Sequence, residues 1–247
     1  MPSIWRKFEH FIPAHAEIDI HSVLKAALAK VSVKGLIPEF EKVLNFALIN
    51  TNAFPKINLG SNETLDNYLE KWVKMFENGF NSRPSVRAST DLQTVHDDIL
   101  NHIISCVVED ITQDKITYYV QGHRLLMKAE NILGLLLEEY IYTRLKAHGW
   151  VCCWGNSLVS IDFITHRNMA LQVKNSDNSE NSSSDKVRAG TTILKWHRRI
   201  SSTGEMNWDA LNEIAEQGVL SEDDFRAFIS EVAANNTSLL IVDSDLS

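Results

Sequence analysis

The run from Ser157 to Lys174, SLVSIDFITHRNMALQVK, constrains this chain more than any other. Val159–Ile164 is β-branched and aromatic, Thr165–Asn168 is built of turn residues, and Met169–Lys174 is apolar again. The stretch therefore predicts two short paired strands. Alternation along the second strand puts Gln172 and Lys174 on one face and Leu171 and Val173 on the other. On the first strand Asp162 stands opposite in sense to Ile161 and Phe163. Pairing the two gathers Asp162, Gln172 and Lys174 on one side while the apolar set closes the core on the other. From these residues alone, a plain hairpin with an exposed Asp and Lys would look the same.

The grouped side chains suit metal-assisted phosphodiester chemistry. A carboxylate at a strand end can ligate Mg²⁺, and a lysine two positions beyond a second polar ligand can lie beside an attacking water. A metal there would neutralise a scissile phosphate while the lysine eases formation of hydroxide. The flanks add acids. A strongly periodic helix over about His123–Ala147, closed by His148-Gly149, carries Leu126, Leu133, Leu137, Tyr140 and Ile141 near helical spacing. Glu130, Gly134 and Glu138 form an i, i+4, i+8 row beside that stripe. Glu138 and Glu130 are rival carboxylates for the charge that Gln172 cannot supply.

Downstream, Asn175–Asp185 is a polar loop by composition, and it starts directly at the candidate catalytic lysine. Its Asn175, Asn178 and Asn181 can reach base edges. Ser182 and Ser183 can bind phosphate oxygens, and Glu180, beside Asn181, is a further candidate DNA contact. A basic run with Trp196 follows. Lys186 and Arg188 are expected to read bases, and Lys195, Arg198 and Arg199 to hold phosphate. Arg83 and Arg87, in a polar turn further upstream, are candidates for phosphate contact, although ordinary solvation explains them as well.

Ile161-Asp162, nine intervening residues and Gln172-Val173-Lys174 resemble the PD-(D/E)xK nuclease superfamily. The family's proline before the aspartate is absent, and its middle carboxylate is a glutamine. The Q-x-K version is similar to Mrr-type enzymes, in which a glutamate of the preceding helix completes the metal site. Glu-Asn-x-x-Gly, Leu-Glu-Glu-Tyr, Trp-Gly, Asp-Phe, Leu-Gln-Val-Lys-Asn, Asn-Ser-Glu-Asn-Ser-Ser-Ser and Lys-Trp resemble SinI-type type II restriction endonucleases over residues 80–212. That resemblance implies an α/β fold, a PD-(D/E)xK core with a mixed central sheet flanked by helices, after a mostly helical N-terminal half. It implies a Mg²⁺-dependent endonuclease on double-stranded DNA, cutting a short palindromic site with GG/CC, GGWCC being the first guess. It also implies a C2 homodimer, metal ligands Asp162, Val173 and one of Glu138 and Glu130, with Glu138 slightly preferred from its distance to Gly149-Trp150, and a cognate DNA methyltransferase in the same system but not in a stable complex. Two other readings stay open: an Mrr-like nuclease directed by structure or modification, and a noncatalytic DNA-binding module on a decayed nuclease fold.

Charge at first argues against a nucleic-acid partner, with a net of −8. The distribution reverses this. Residues 144–200 hold nine Lys or Arg against four Asp or Glu, a local +5, whereas the other 190 residues hold 15 against 28, a net −13. A basic strip in an acidic body can grip a duplex locally and limit nonspecific binding. There is no apolar run long enough to span a membrane, and the N-terminus lacks the apolar stretch of a signal peptide. Cys106, Cys152 and Cys153 form neither a disulfide framework nor a zinc spacing, so a reducing cytoplasm is expected. G-x-G-x-x-G, G-x-x-x-x-G-K, G-x-S-x-G and H-E-x-x-H are absent, which removes support for nucleotide hydrolases, α/β-hydrolases and zinc proteases.

The rest of the chain reads mostly as helices. These are HSVLKAALAKV, a second with Pro38 at its start, and NETLDNYLEKWVKMFENGF with Tyr68, Leu69, Trp72, Val73 and Phe76 at core spacing. A fourth is opened by a Thr90/Gln93 capping box. Further helices run from Asn207-Trp208 to about Gln217 and from Ser221 onward, and TSLLIVD is expected to form an edge strand. Residues 1–88 form a helical region and 89–247 the nuclease core with C-terminal helices, as two units or as one continuous domain.

Overall fold

The computed structural model describes residues 4–12, 19–87, 97–177 and 192–240. Helix α1 (Ile20–Leu28) is capped by Asp19, whose carboxylate accepts from the Ser22 N–H. Helix α2 (Ile37–Ile49) has Pro38 in its first turn, where the missing N–H costs nothing. Helix α3 (Leu65–Asn81) starts at Thr64, whose hydroxyl accepts from the Asn67 N–H. Its stripe of Tyr68, Leu69, Trp72, Val73 and Phe76 is buried as the spacing predicts. Phe40 and Phe54 meet the Trp72 ring at 5.0 and 4.9 Å.

Helix α4 (Asp98–Val107) begins at the Asp97 cap. The expected capping box at Thr90 and Gln93 lies outside the described residues. Helix α5 (Gln113–Leu145) runs about 50 Å. It begins ten residues before the expected start at His123, because Thr112 caps an unrecognised N-terminal extension. Gly149, at φ +79°, ends the turn that follows α5.

The main sheet has the order β3 (Val151–Cys152), β4 (Phe163–Ile164), β5 (Ala170–Ser176) and β6 (Leu194–Arg199). The first three are antiparallel neighbours, and β6 lies parallel to β5. Strands β1 (Trp5–Arg6) and β2 (Ile57–Asn58) pair separately. The expected strand Val159–Ile164 shrinks to Phe163–Ile164. Ser160 takes φ +60° and the Val159 N–H turns away to the Ala53 carbonyl, so the strand begins only at Phe163. The turn Thr165–Asn168 is where the sequence puts it, with the Thr165 hydroxyl accepting from the Arg167 and Met169 N–H groups.

Helices α6 (Trp208–Ala215) and α7 (Glu222–Asn235) close the chain. Helix α6 stops two residues before the expected end, because Glu216 adopts φ +57°. Ser221 caps α7 through a bond from the Asp224 N–H, as expected. Of the expected edge strand, Thr237–Leu240 is a turn and residues 241–247 lie outside the described residues.

Buried side chains from Phe8 to Val232 form a core shared by the N-terminal helices and the sheet. The Trp72 indole donates to the Ser157 carbonyl at 2.7 Å, and Lys42 Nζ donates to the Gly149 and Thr165 carbonyls at 2.7 and 2.8 Å. Where α3 crosses the loop after β3, a Cβ on Gly79 would stand 2.2 Å from the Gly155 nitrogen. Only two glycines allow that approach. The helical N-terminal half thus braces the segment that carries Asp162.

Candidate active site

Asp162 is held by backbone on both sides. Its N–H donates to the Leu171 carbonyl at 2.9 Å and its carbonyl accepts from the Cys153 N–H at 2.8 Å. Its Oδ2 accepts from the Val173 N–H at 2.7 Å, which orients the carboxylate toward the middle of β5. One residue on each side of Val173 lie Gln172 and Lys174. Gln172 is buried, and among the described residues its Oε1 has no hydrogen-bond partner. An unsatisfied buried amide oxygen costs about 1–3 kcal/mol, so this atom is one that a cation or substrate group would satisfy.

Glu138 comes from α5 into the field of the same residues. Burial pushes its carboxyl up to about 8, the negative charge of Asp162 pushes in the same direction, and Lys174 opposes them. The structure therefore brings Glu138, Asp162 and Lys174 together. Glu130 is exposed two turns earlier, about 12 Å along the helix axis, too far to share an ion with Glu138. Beneath the acids, Cys152 and Cys153 are buried and their thiols are pushed well up, chiefly by burial and then by the two carboxylates. Among the described residues no three His, Cys, Asp or Glu side chains are grouped to hold a metal. The groups that could hold an ion here are the two carboxylates, the Gln172 amide oxygen and backbone carbonyls such as that of Val173. Those are hard oxygen ligands and suit Mg²⁺.

The β5–β6 register sorts the basic run by face. Gln172 lies beside Lys195, Lys174 beside His197, and Ser176 beside Arg199. Lys195 and Arg199 are exposed on the face of Lys174. Trp196 and Arg198 point the other way. The Trp196 ring lies 5.2 Å from Trp208. Arg198 Nη1 donates to both Glu222 oxygens at 2.9 and 2.7 Å, and its Nε donates to Asn175 Oδ1 at 2.9 Å. Asn175 and Arg198 are thus partners of each other inside the protein, because β6 alternates. Arg83 is likewise committed: its guanidinium lies 3.4 Å from the Phe80 ring centroid and pairs with buried Glu139 at 3.2 Å. Arg87 is exposed and donates to the Ser82 hydroxyl. Asn178, Glu180, Asn181, Ser182, Ser183, Lys186 and Arg188 lie outside the described residues.

Sequence reasoning passed over His197. It neighbours Lys174 across the ladder, and its Nδ1 is buried without a partner. Reading Lys195–Arg199 as a strand, rather than only as a basic run, would have singled it out.

A family model described as SinI restriction endonuclease matches residues 21–234. The type II restriction enzyme SinI of Salmonella infantis is 34% identical over 210 residues, covering 82% of this chain and 91% of that protein. The type II restriction enzyme Eco47I of Escherichia coli is 33% identical over 210 residues with the same coverage of both chains. The class is therefore that of type II restriction enzymes, site-specific deoxyribonucleases. The chain belongs to the SinI restriction endonuclease family.

Proposed function

We propose that this restriction enzyme hydrolyses double-stranded DNA with Mg²⁺ at a short palindromic site containing GG and CC, on a PD-(D/E)xK-type core. It would act in the cytoplasm as a homodimer with one active site for each strand. The observation that carries the site assignment is the convergence of Glu138, Asp162 and Lys174 beside an unpartnered Gln172 oxygen.

In this reading Asp162 and Glu138 hold the ion, with the Gln172 amide oxygen and the Val173 carbonyl as neutral ligands. When bound, Mg²⁺ neutralises charge on the scissile phosphate and lowers the cost of deprotonating water. The protein supplies the rest. The Val173 N–H fixes the Asp162 carboxylate, and burial between helix and strand presents Glu138 to the same point. Lys174 donates a hydrogen bond to the attacking water and stabilises the negative charge that develops there. Lys195 and Arg199, on the Lys174 face, hold neighbouring phosphates. Lys186 and Arg188, with Asn178 and Asn181, read bases in the adjacent groove, and Ser182 and Ser183 bind phosphate oxygens.

A plasmid digest tests the reading. Discrete fragments with Mg²⁺ and none with EDTA are expected, and end sequencing then gives the site. A smear would favour a structure-directed nuclease, and intact plasmid a binding module. Either result would overturn the proposal.

A further inference from the structure

Helix α5 changes character along its length. Leu136, Leu137, Tyr140, Ile141 and Leu145 are in the core, whereas Tyr118, Tyr119 and Leu126 are 65%, 62% and 64% exposed. Tyr119, Gly122, Leu126 and Ala129 recur at spacings of three, four and three, the spacing of a helix that packs along another helix. A Cβ added to Gly122 would meet nothing within 4 Å. Helix α4, just before it, buries none of its residues and exposes Ile99, Leu100, Ile103 and Val107 by 52–76%. Apolar surface of this extent on a soluble domain marks an interaction face.

We propose that a second copy of this chain covers the face, α5 packing antiparallel on the partner's α5 about a two-fold axis between Gly122 and His123. The inference rests on the homodimer reading above and adds the surface that forms the dimer. A two-fold at that point sets Tyr119 against the partner's Leu126 and Lys115 against the partner's Glu130, each pair occurring twice. Lys115 and Glu130 are both exposed in the protomer. The face is therefore complementary to itself in apolar pattern and in charge, as an isologous interface requires. Gly122 falls at the crossing, where a missing side chain lets two helix backbones approach. From Lys115 to Glu130 the seam runs about 22 Å. The exposed Glu130 thereby gains a role that the metal site does not give it.

Sedimentation velocity on the full chain tests the assignment. The unaltered protein should sediment as a dimer. Tyr119→Glu with Leu126→Glu should weaken dimerisation by about a hundredfold or more, because four carboxylates would enter an apolar seam. Circular dichroism and Tm should not change, since both side chains are exposed in the protomer. Lys115→Glu alone and Glu130→Lys alone should each weaken the dimer several-fold, and the two together should restore it. If the double glutamate variant dimerises as tightly as the unaltered protein, the surface is wrong while the homodimer stands. If the unaltered protein is monomeric both free and on cognate DNA, the homodimer reading fails and the surface proposal falls with it.

Discussion

The two faces of the β5–β6 ladder carry similar residues and put them to different uses. On one face Arg198 is 8% exposed, tied to Glu222 and Asn175, with its guanidinium 5.7 Å from the Phe225 ring. On the other, Lys195 and Arg199 are exposed beside a row of Gln172, Lys174 and Ser176. One residue of offset separates a structural cation from one that can meet a phosphate. The difference arises from what covers each face. Helices α6 and α7 supply Trp208, Phe225 and Glu222 to the first, and the described residues leave the long cations of the second exposed. A charge count over residues 144–200 treats both faces alike.

The largest effect expected from this division is at Lys174. Lys174→Ala should lower the cleavage rate about 10²–10⁴-fold, the usual range for losing a group that assists proton movement. DNA affinity measured with Ca²⁺ in place of Mg²⁺ should stay within about twofold, since the phosphate contacts proposed for Lys195 and Arg199 are untouched. Single-turnover cleavage and filter binding on the same preparation check it. Cleavage near the normal rate would remove Lys174, and the face it defines, from the chemistry.

Arg198→Ala tests the opposite face. It leaves Glu222 partly buried without its main partner, with the Trp208 indole N–H at 3.1 Å and the exposed Arg226 guanidinium at 3.4 Å as its remaining contacts. Breaking such a pair from one side should cost roughly 3 kcal/mol, seen as a lower urea midpoint at constant m. Glu222 is held below its ordinary value by Arg198 and Trp208 against the opposing effect of burial. The stability it contributes is present above the ordinary carboxylate range and is lost as pH falls through the depressed value. The variant should therefore lose part of its destabilisation in acid. An Arg198→Ala protein as stable as the unaltered one would mean that the buried face does not hold the fold.

How much of this was legible in the sequence follows the same line. Tyr68 to Phe76, Pro38 and the Ser221 cap could be read directly, because each depends on local spacing or on one hydrogen bond. The association of Asp162 with the Q-x-K strand was also legible, since a short turn forces the two strands to pair. The faces of β6 were not. Its pairing with β5 is parallel and non-local, and the basic composition of Lys195–Arg199 hid an alternating pattern. The distance to Gly149-Trp150 slightly favours Glu138 over Glu130, and α5 brings Glu138 into the field of Asp162 and Lys174. The N-terminal end of α5 was missed because Tyr118, Tyr119 and their neighbours have no core stripe to mark them.

Glu138 couples the site to pH. With its carboxyl raised to about 8, the metal-free protein carries a proton there at neutral pH. Raising this acid stabilises the protonated folded form, so that contribution is full below the ordinary carboxylate value and is lost as pH rises through about 8. A metal ion must displace the proton. Mg²⁺ affinity should therefore rise about tenfold per pH unit below 8 and level off above it. Calorimetric titrations in buffers of different ionisation enthalpy should find about one proton released per ion bound at pH 7. Glu138→Gln should abolish the release along with most of the affinity. Affinity that is flat from pH 6 to pH 9 would place the ion away from Glu138.

The smallest expected effect distinguishes the two faces most directly. A cation that neutralises one phosphate releases about one counterion, so Arg199→Ala should reduce the slope of log K against log salt by about one. Its effect should be several-fold at low salt and should shrink as salt rises, equally on cognate and noncognate duplexes, because phosphate contact carries no sequence. Lys195→Ala should behave in the same way. Arg198→Ala, compared at a urea-free temperature where it stays folded, should leave the slope unchanged, because its charge is spent on Glu222 rather than on DNA. Fluorescence anisotropy at four salt concentrations resolves a change of one unit. If Arg198→Ala lowers the slope and Arg199→Ala does not, the DNA lies on the α7 side of the ladder, and Lys174 could not then reach the phosphate it is assigned to cut.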